Sequence, residues 1–395
     1  MFAGSGNRGA NGAVGAVQRL SALGGGGRCG RMMEDGYRGG GTMRLKYLYP
    51  KPFFFPFYID IDPMERLMVA SIKNDPEFTM IEPQLFCDPI NGSGLRVLLY
   101  RRDGKIDVYW QKGVIVNRDT ITIGSGINFF QEVEMEPSGF NITDTGVKCH
   151  VRFQDAIGKS VELKVFENAK GITPFSFLAP VGKDIVDPKR LFLAHMLKFD
   201  FVRKKGTIFT GNIGDRPIKP ESFPLLRGNK KVLFARYSAQ PVVGVLNPDN
   251  AKPLIFTAKP GQQFSLGHMQ ISTDESNRVE RVGVYIQEKT VELIFPDGFP
   301  DLLGLTEGDT KTGNWQYNIC GEHITGGMYS LLRSGAKVVV KLDVTQIWKP
   351  KEMPVSFRIF TQVVKSFRTW PTTYAWHGTV DLDSETMTGS WSRRK

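Results

Sequence analysis

The chain has 395 residues, of which 41% are hydrophobic and 23% charged, with 27 Phe, a composition that excludes wholesale disorder and allows a sizeable core. Its length favours two domains of ordinary size with a tail to spare. With 51 Lys+Arg against 40 Asp+Glu the formal charge is +11 and the pI about 9.4, which points to polyanionic partners, either nucleic acid or an acidic membrane surface.

Residues 1–42 read as a flexible Gly-rich basic arm, with Gly runs at 24–27 and 39–41 and hardly a bulky side chain. From Met1 to Lys46 seven basic residues (Arg8, Arg19, Arg28, Arg31, Arg38, Arg44, Lys46) face only Glu34 and Asp35. Three readings of this polycation stand side by side: a nucleic-acid-binding tail, an organelle transit peptide within residues 1–30, and sequence upstream of a true start at Met43. No apolar run approaches the roughly 20 residues needed to span a bilayer as a helix, and the first residues lack the apolar core of a secretory signal. Cys29, Cys87, Cys149 and Cys320 are widely spaced, which argues against a disulfide framework and for a reducing compartment.

Beyond Met43, short β-branched and aromatic runs separated by Gly, Asp, Asn and Pro predict a mainly β fold. Leu95 to Tyr100, Asp103-Gly104 and Lys105 to Trp110 read as a hairpin, because Asp-Gly tolerates positive φ. Lys148 to Gln154 and Ser160 to Phe166 read as a second. Further strands are predicted at Val282–Phe295, Ala336–Trp348, Val355–Val364, Tyr374–Leu382 and Met387–Trp391. The alternation of Val338, Val340, Leu342 and Val344 with Val339, Lys341, Asp343 and Thr345 predicts one buried and one wet face. Helical patterns are few, with Met64–Lys73 and Ile324–Arg333 the best candidates. Between Asp184 and Pro260 the density of Pro suggests linkers around a few strands, with a domain boundary near 182–190. The expectation is two tandem β-sandwich or barrel-like domains, 43–185 and 186–395, behind the disordered arm.

No catalytic residue, metal ligand or cofactor is predicted. His195 lies in the apolar stretch Leu191–Phe201 and reads as a core or edge histidine. Cys320 and His323 supply half a zinc site without its other half, and Cys149-His150 point to opposite faces of a strand. Asp60 with Asp62, and Asp381 with Asp383, share a face and read as strand ends or turns. Gly124-Ser125-Gly126 lacks the Lys of a phosphate loop and reads as a turn. Tyr109-Trp110 and Tyr374-Ala375-Trp376-His377 carry aromatics that suit base stacking but fit a sandwich core better. The basic clusters are more informative: Arg203, Lys204 and Lys205; Arg227, Lys230 and Lys231; and Arg393, Arg394 and Lys395. Borne on loops, they form a membrane- or polyanion-binding patch if the fold brings them to one surface.

Leu331-Leu-Arg-Ser-Gly-Ala-Lys-Val-Val-Val340, followed by Val344-Thr-Gln346, Pro354 and Phe357-Arg-Ile359, is similar to the closing strands of the matrix proteins of paramyxoviruses. Gly124-Ser-Gly-Ile-Asn128 with Gln131, and Leu191 to Lys205, occur in a compatible order. The resemblance implies tandem β-sandwiches in a dimeric, non-catalytic protein that coats the inner face of a host membrane, binds acidic phospholipid through basic loops, and links envelope to nucleocapsid in the virion. Two alternatives remain open: a capsid or movement protein that binds nucleic acid through the arm, and a tandem lipocalin-like protein that binds or converts a hydrophobic small molecule.

Overall fold

Side chains alternating in and out at a period of two require a sheet with one buried face, and the strand Lys337–Gln346 shows it: Val338, Val340, Leu342 and Val344 are fully buried while Val339 is 44% exposed. The computed structural model describes residues 52–394 apart from 119–120, 122–124, 137, 170–172, 183–184 and 228–229, with backbone alone for 224–227 and 230. Residues 1–42, and with them the three readings of the arm, lie outside the described residues, as do Gly124 and Lys395.

Nine strands from Gln263–Leu266 to Thr386–Arg393 form an antiparallel sheet in which each strand pairs with the next in sequence. One face of it is packed with aromatic rings. Phe55 and Phe57 arrive from the start of the described chain and pack on Phe295, Phe299 and Trp376 at centroid distances of 5.1–5.8 Å. The stretch Val282–Phe295, expected as one strand, is a hairpin of Val279–Ile286 and Lys289–Phe299, turning where Gln287 takes φ 53°. Cys320 and Gly321 both have positive φ (48° and 74°) in the two-residue turn closed by Ile319 and Glu322, the geometry of a type I′ hairpin.

The two hairpins expected in the first half are present: Gly92–Arg101 with Ile106–Trp110, and Gly146–Gln154 with Ser160–Glu167. They belong to different sheets. The first lies in a ten-stranded sheet and the second in a five-stranded one. The two sheets pack as a sandwich, with Met68, Ala70, Ile81, Val97, Leu99 and Tyr109 opposite Val147, Cys149, Val151, Val161, Leu163 and Val165. The other face of the ten-stranded sheet shares a second core with the nine-stranded one, in which Leu193, Phe199 and Val242 meet Leu293, Tyr317 and Trp391. The fold is thus mainly β, in sandwich-like layers.

Several expectations are corrected. Met64–Lys73 and Ile324–Arg333 are not helices but the strands Arg66–Ser71 and Glu322–Ser334. In the second, the side chain of any residue other than glycine at 327 would place its Cβ 1.8 Å from the Asp343 carbonyl, so the glycines mark close strand approach. Val355–Val364 is not a strand but contains helix α1 (Val355–Val363), followed by the short α2 (Ser366–Thr369). Val355, Phe357 and Ile359 alternate like a strand, but Phe357, Phe360, Thr361 and Val364 follow the helical 3, 4, 7 spacing, and Phe357 and Thr361 are the buried pair.

Nor does the chain divide at 182–190. Leu191–Arg203 pairs with Lys230–Leu246, and Lys230–Leu246 pairs with Arg66–Ser71 and Ile59–Pro63, so strands from both sides of that boundary share the ten-stranded sheet. The Pro-rich middle contains these two long strands among its connecting segments, as its reading as linkers around a few strands expects. Pro241, lacking a donor, sits where Lys230–Leu246 changes partner between Ala235–Ser238 and Val242–Leu246. The change of sheet comes after Leu246.

Asp75 organises the turn into Phe78–Asp88. Its Oδ1 accepts from the Glu77 and Phe78 amides at 2.9 and 2.8 Å, and its Oδ2 from Arg216 Nε at 3.0 Å. Burial pushes its carboxyl up, but these amides and the guanidinium outweigh it and hold the group below the ordinary Asp value. A lowered folded pKa adds stability above the unfolded value, lost as pH falls through the folded one. Asp75→Ala is therefore expected to cost about 2 kcal/mol at pH 7, with the deficit shrinking below about pH 3.9, as measured by urea unfolding at several pH values.

Candidate anionic-surface interface

The turn Arg203-Lys204-Lys205-Gly206 carries the chain from Leu191–Arg203 in the ten-stranded sheet to Thr207–Ile213 in the five-stranded one, with Gly206 at φ 83°. Lys204 and Lys205 are exposed. Arg203, expected beside them as a membrane- or polyanion-binding residue, is only 2% exposed. Its Nε donates to Glu167 Oε1 and its Nη1 to Asp200 Oδ2, both at 2.7 Å, and its Nη2 to the Tyr237 hydroxyl at 3.3 Å. Burial raises the Glu167 pKa against the pull of the Arg203 amide and guanidinium. It would lower that of Arg203, but the Asp200 and Glu167 carboxylates more than reverse this and keep the guanidinium charged. Two buried carboxylates need a cation between the sheets, so the first member of the cluster serves the core and not the surface.

The second cluster joins the first. Ser222–Arg227 and Lys230–Leu246 form a hairpin in which Arg227 and Lys230 face each other in register. The Lys204 amide donates to the Lys231 carbonyl at 2.9 Å, bringing exposed Lys231 beside Lys204 and Lys205.

Helix α1 lies along the same edge. Phe360 packs on Phe223 of the hairpin at 6.2 Å and Phe357 on Phe201 at 5.7 Å. Its outer side carries Val355, Ile359 and Val363, exposed by 70%, 55% and 76%. Lys349, Lys351, Arg358 and Lys365 are exposed around it, and no Asp or Glu occurs from Met353 to Val380. Sequence reasoning missed this helix. The spacing by four of Val355, Ile359 and Val363 in an acid-free stretch was the available signal.

The third cluster is elsewhere. The Arg393 amide donates to the Val186 carbonyl at 2.9 Å, which ties the C-terminus toward the Leu191 end of Leu191–Arg203. That strand is roughly 40 Å long at about 3.3 Å per residue, with Lys204 and Lys205 beyond its other end. Arg394 Nη2 pairs with Asp343 Oδ1 at 2.6 Å, and Lys341 Nζ with Asp343 Oδ2 at 2.9 Å. They line a shallow groove of about 440 Å³ with Met328, Thr345, Ala375, His377 and Ser392. Among the described side chains, convergence thus covers Lys204, Lys205 and Lys231 but neither Arg203 nor Arg394.

His195 is fully buried, with Nε2 2.7 Å from Glu322 Oε2 and its ring edge-on to Trp348, linking the ten- and nine-stranded sheets. Burial raises the Glu322 pKa, but His195 and other partners bring it below the ordinary value. Cys149 points into the core, where burial pushes its thiol up, whereas His150 bonds Glu162 at 2.9 Å on the other face. Asp62 accepts from Asn91 Nδ2 at 3.0 Å, and Asp60 lies 3.5 Å from His268. Asp381 accepts from the Asp383 and Ser384 amides in a turn. Among the described residues no three His, Cys, Asp or Glu side chains are placed to share a metal ion. Tyr109, Tyr374 and Trp376 are buried in the cores.

One buried polar row had no counterpart in the sequence reasoning. Arg96 Nε donates to Gln84 Oε1 and Gln84 Nε2 to Glu82 Oε1, both at 2.6 Å, and the Tyr100 hydroxyl donates to Glu82 Oε2 at 2.7 Å. Burial raises the Glu82 pKa although both partners oppose it. The charges are met within the row, which suits a structural role.

Among family models, curated proteins and solved structures, none matches this chain. Residues 331–340 and 344–346 lie in the hairpin of Glu322–Ser334 and Lys337–Gln346, while Phe357-Arg358-Ile359 lies in α1.

Proposed function

We propose that the protein is a peripheral membrane-binding structural protein of the matrix type. It binds acidic phospholipid at the inner face of a membrane and assembles there with further copies during virion formation, without catalysis. The observation that carries this reading is the bond from the Lys204 amide to the Lys231 carbonyl, which sets exposed Lys231 beside exposed Lys204 and Lys205, near an acid-free helix. Cations held at one edge add their attraction to an anionic surface, about 1 kcal/mol each near the headgroups. Co-sedimentation at low salt is expected to recover the protein with phosphatidylserine-containing vesicles, to release it as salt rises, and to leave it in solution with phosphatidylcholine alone. Equal recovery with both compositions counts against the reading.

A second reading draws on the nine-stranded sheet, whose strict next-neighbour order is that of up-and-down barrels, although among the described residues its first and last strands do not pair to close it and aromatic rings fill one face. It is a lipocalin-like protein for an apolar small molecule. Native mass spectrometry would then find a retained hydrophobic ligand, and a mass equal to that of the bare chain would speak against it.

A further inference from the structure

A surface helix ordinarily turns charged residues to water and keeps its apolar stripe for the core. Helix α1 has an apolar stripe on both sides. Phe357 and Thr361 face inward, and Val355, Ile359 and Val363, each one turn and a little more after the last, face outward at 70%, 55% and 76% exposure. Arg358 and Lys365 flank this outer stripe, and Lys349 and Lys351 precede the helix, all exposed.

What covers such a stripe can be argued from its size and charge. From Val355 to Val363 the helix rises about 12 Å at 1.5 Å per residue and is about 10 Å wide, so its outer stripe offers on the order of 120 Å², far short of the roughly 800 Å² per partner that a stable protein interface buries. A second copy would also bring the same cations against these. An acidic bilayer presents the opposite arrangement, anionic headgroups over hydrocarbon, which matches cations beside a short apolar ridge. The helix also packs through Phe360 on Phe223, in the hairpin whose other strand carries Lys231.

We propose that α1 is a membrane-inserting element. It lies in the plane of an acidic bilayer, with Val355, Ile359 and Val363 at the acyl boundary and Arg358 and Lys365 at the lipid phosphates. The inference rests on the membrane reading above and adds penetration to it.

Five of the six tryptophans (Trp315, Trp348, Trp370, Trp376 and Trp391) are at most 3% exposed, so the wild type gives a background shielded from lipid-borne quenchers. The test is Ile359→Trp with phosphatidylserine-containing vesicles whose acyl chains are brominated near the headgroup. The introduced indole is expected to shift to the blue and to be quenched well beyond the wild-type background. Ile359→Asp and Val363→Asp, with unchanged near-ultraviolet dichroism, are each expected to weaken vesicle binding about tenfold or more. Binding of Ile359→Trp to acidic vesicles without quenching overturns insertion and leaves surface docking intact. Failure of both wild type and Ile359→Trp to bind acidic vesicles overturns the docking reading itself. A wild-type dimer in solution that Ile359→Asp turns into a monomer assigns the stripe to a second copy and overturns the proposal.

Discussion

Arg203→Met is expected to lower stability by about 3–5 kcal/mol, because it leaves Glu167 and Asp200 buried without their cation. That is a large fraction of the roughly 5–15 kcal/mol by which a domain is stable, so the variant should unfold at a much lower urea concentration or accumulate poorly. Arg203→Lys keeps a charge but cannot reach both carboxylates and the Tyr237 hydroxyl with one planar fork, and is expected to fall between the two. The adjacent exposed position serves as the control: Lys204→Met should change stability by no more than about 0.5 kcal/mol.

The pH dependence of Arg203→Met follows from Glu167. Burial already holds its folded pKa above the ordinary value, and removal of the guanidinium takes away an opposing pull. A raised folded pKa favours the fold below the unfolded value, about 4.3, and this advantage is lost as pH rises through the folded value. The deficit of the variant should therefore be smaller near pH 4 than at pH 7. Adding Glu167→Gln and Asp200→Asn to Arg203→Met should recover much of the loss at neutral pH. A urea midpoint for Arg203→Met within experimental error of wild type would remove the structural role given to this triad.

Replacing Lys204, Lys205 and Lys231 together by Gln is expected to weaken binding to phosphatidylserine-containing vesicles about a hundredfold. Three cations at about 1 kcal/mol each amount to about 3 kcal/mol, and about 1.4 kcal/mol is a factor of ten. The loss should be largest at low ionic strength and fade as the Debye length falls from about 10 Å at 0.1 M salt to about 3 Å at 1 M. All three side chains are exposed, so the melting temperature should stay near that of wild type. Arg394→Gln is the matched control, since its guanidinium is already bound to Asp343 on the nine-stranded sheet. If the triple variant sediments with acidic vesicles as wild type does, the cationic edge is not the contact surface.

These two predictions mark where sequence reasoning reached and where it stopped. In Arg203-Lys204-Lys205 three neighbouring cations look alike, yet one enters the core and two remain in water. The difference lies in Glu167 and Asp200, which the fold of two sheets brings to the same buried point. The adjacency of Lys204 and Lys231 depends likewise on the pairing of Leu191–Arg203 with Lys230–Leu246, a contact between segments distant in the chain. For α1 the ambiguity was local. Val355, Phe357 and Ile359 satisfy a period of two, and only the presence of Phe201, Phe223 and Phe175 under one side selects the helical spacing of Phe357 and Phe360.

What the sequence by itself determined is what nearest neighbours along the chain control. The alternation of Val338 to Val344, the Asp103-Gly104 turn, the hairpin of Gly146–Gln154 with Ser160–Glu167 and the burial of His195 in its apolar stretch follow from side-chain period, turn chemistry and hydrophobicity. Only the tertiary structure decided which strands share a sheet, which arginine is a buried counter-ion, and which cations stand at one edge beside an exposed apolar ridge. Each of these depends on contacts between residues far apart in the chain, whose energies no local pattern encodes.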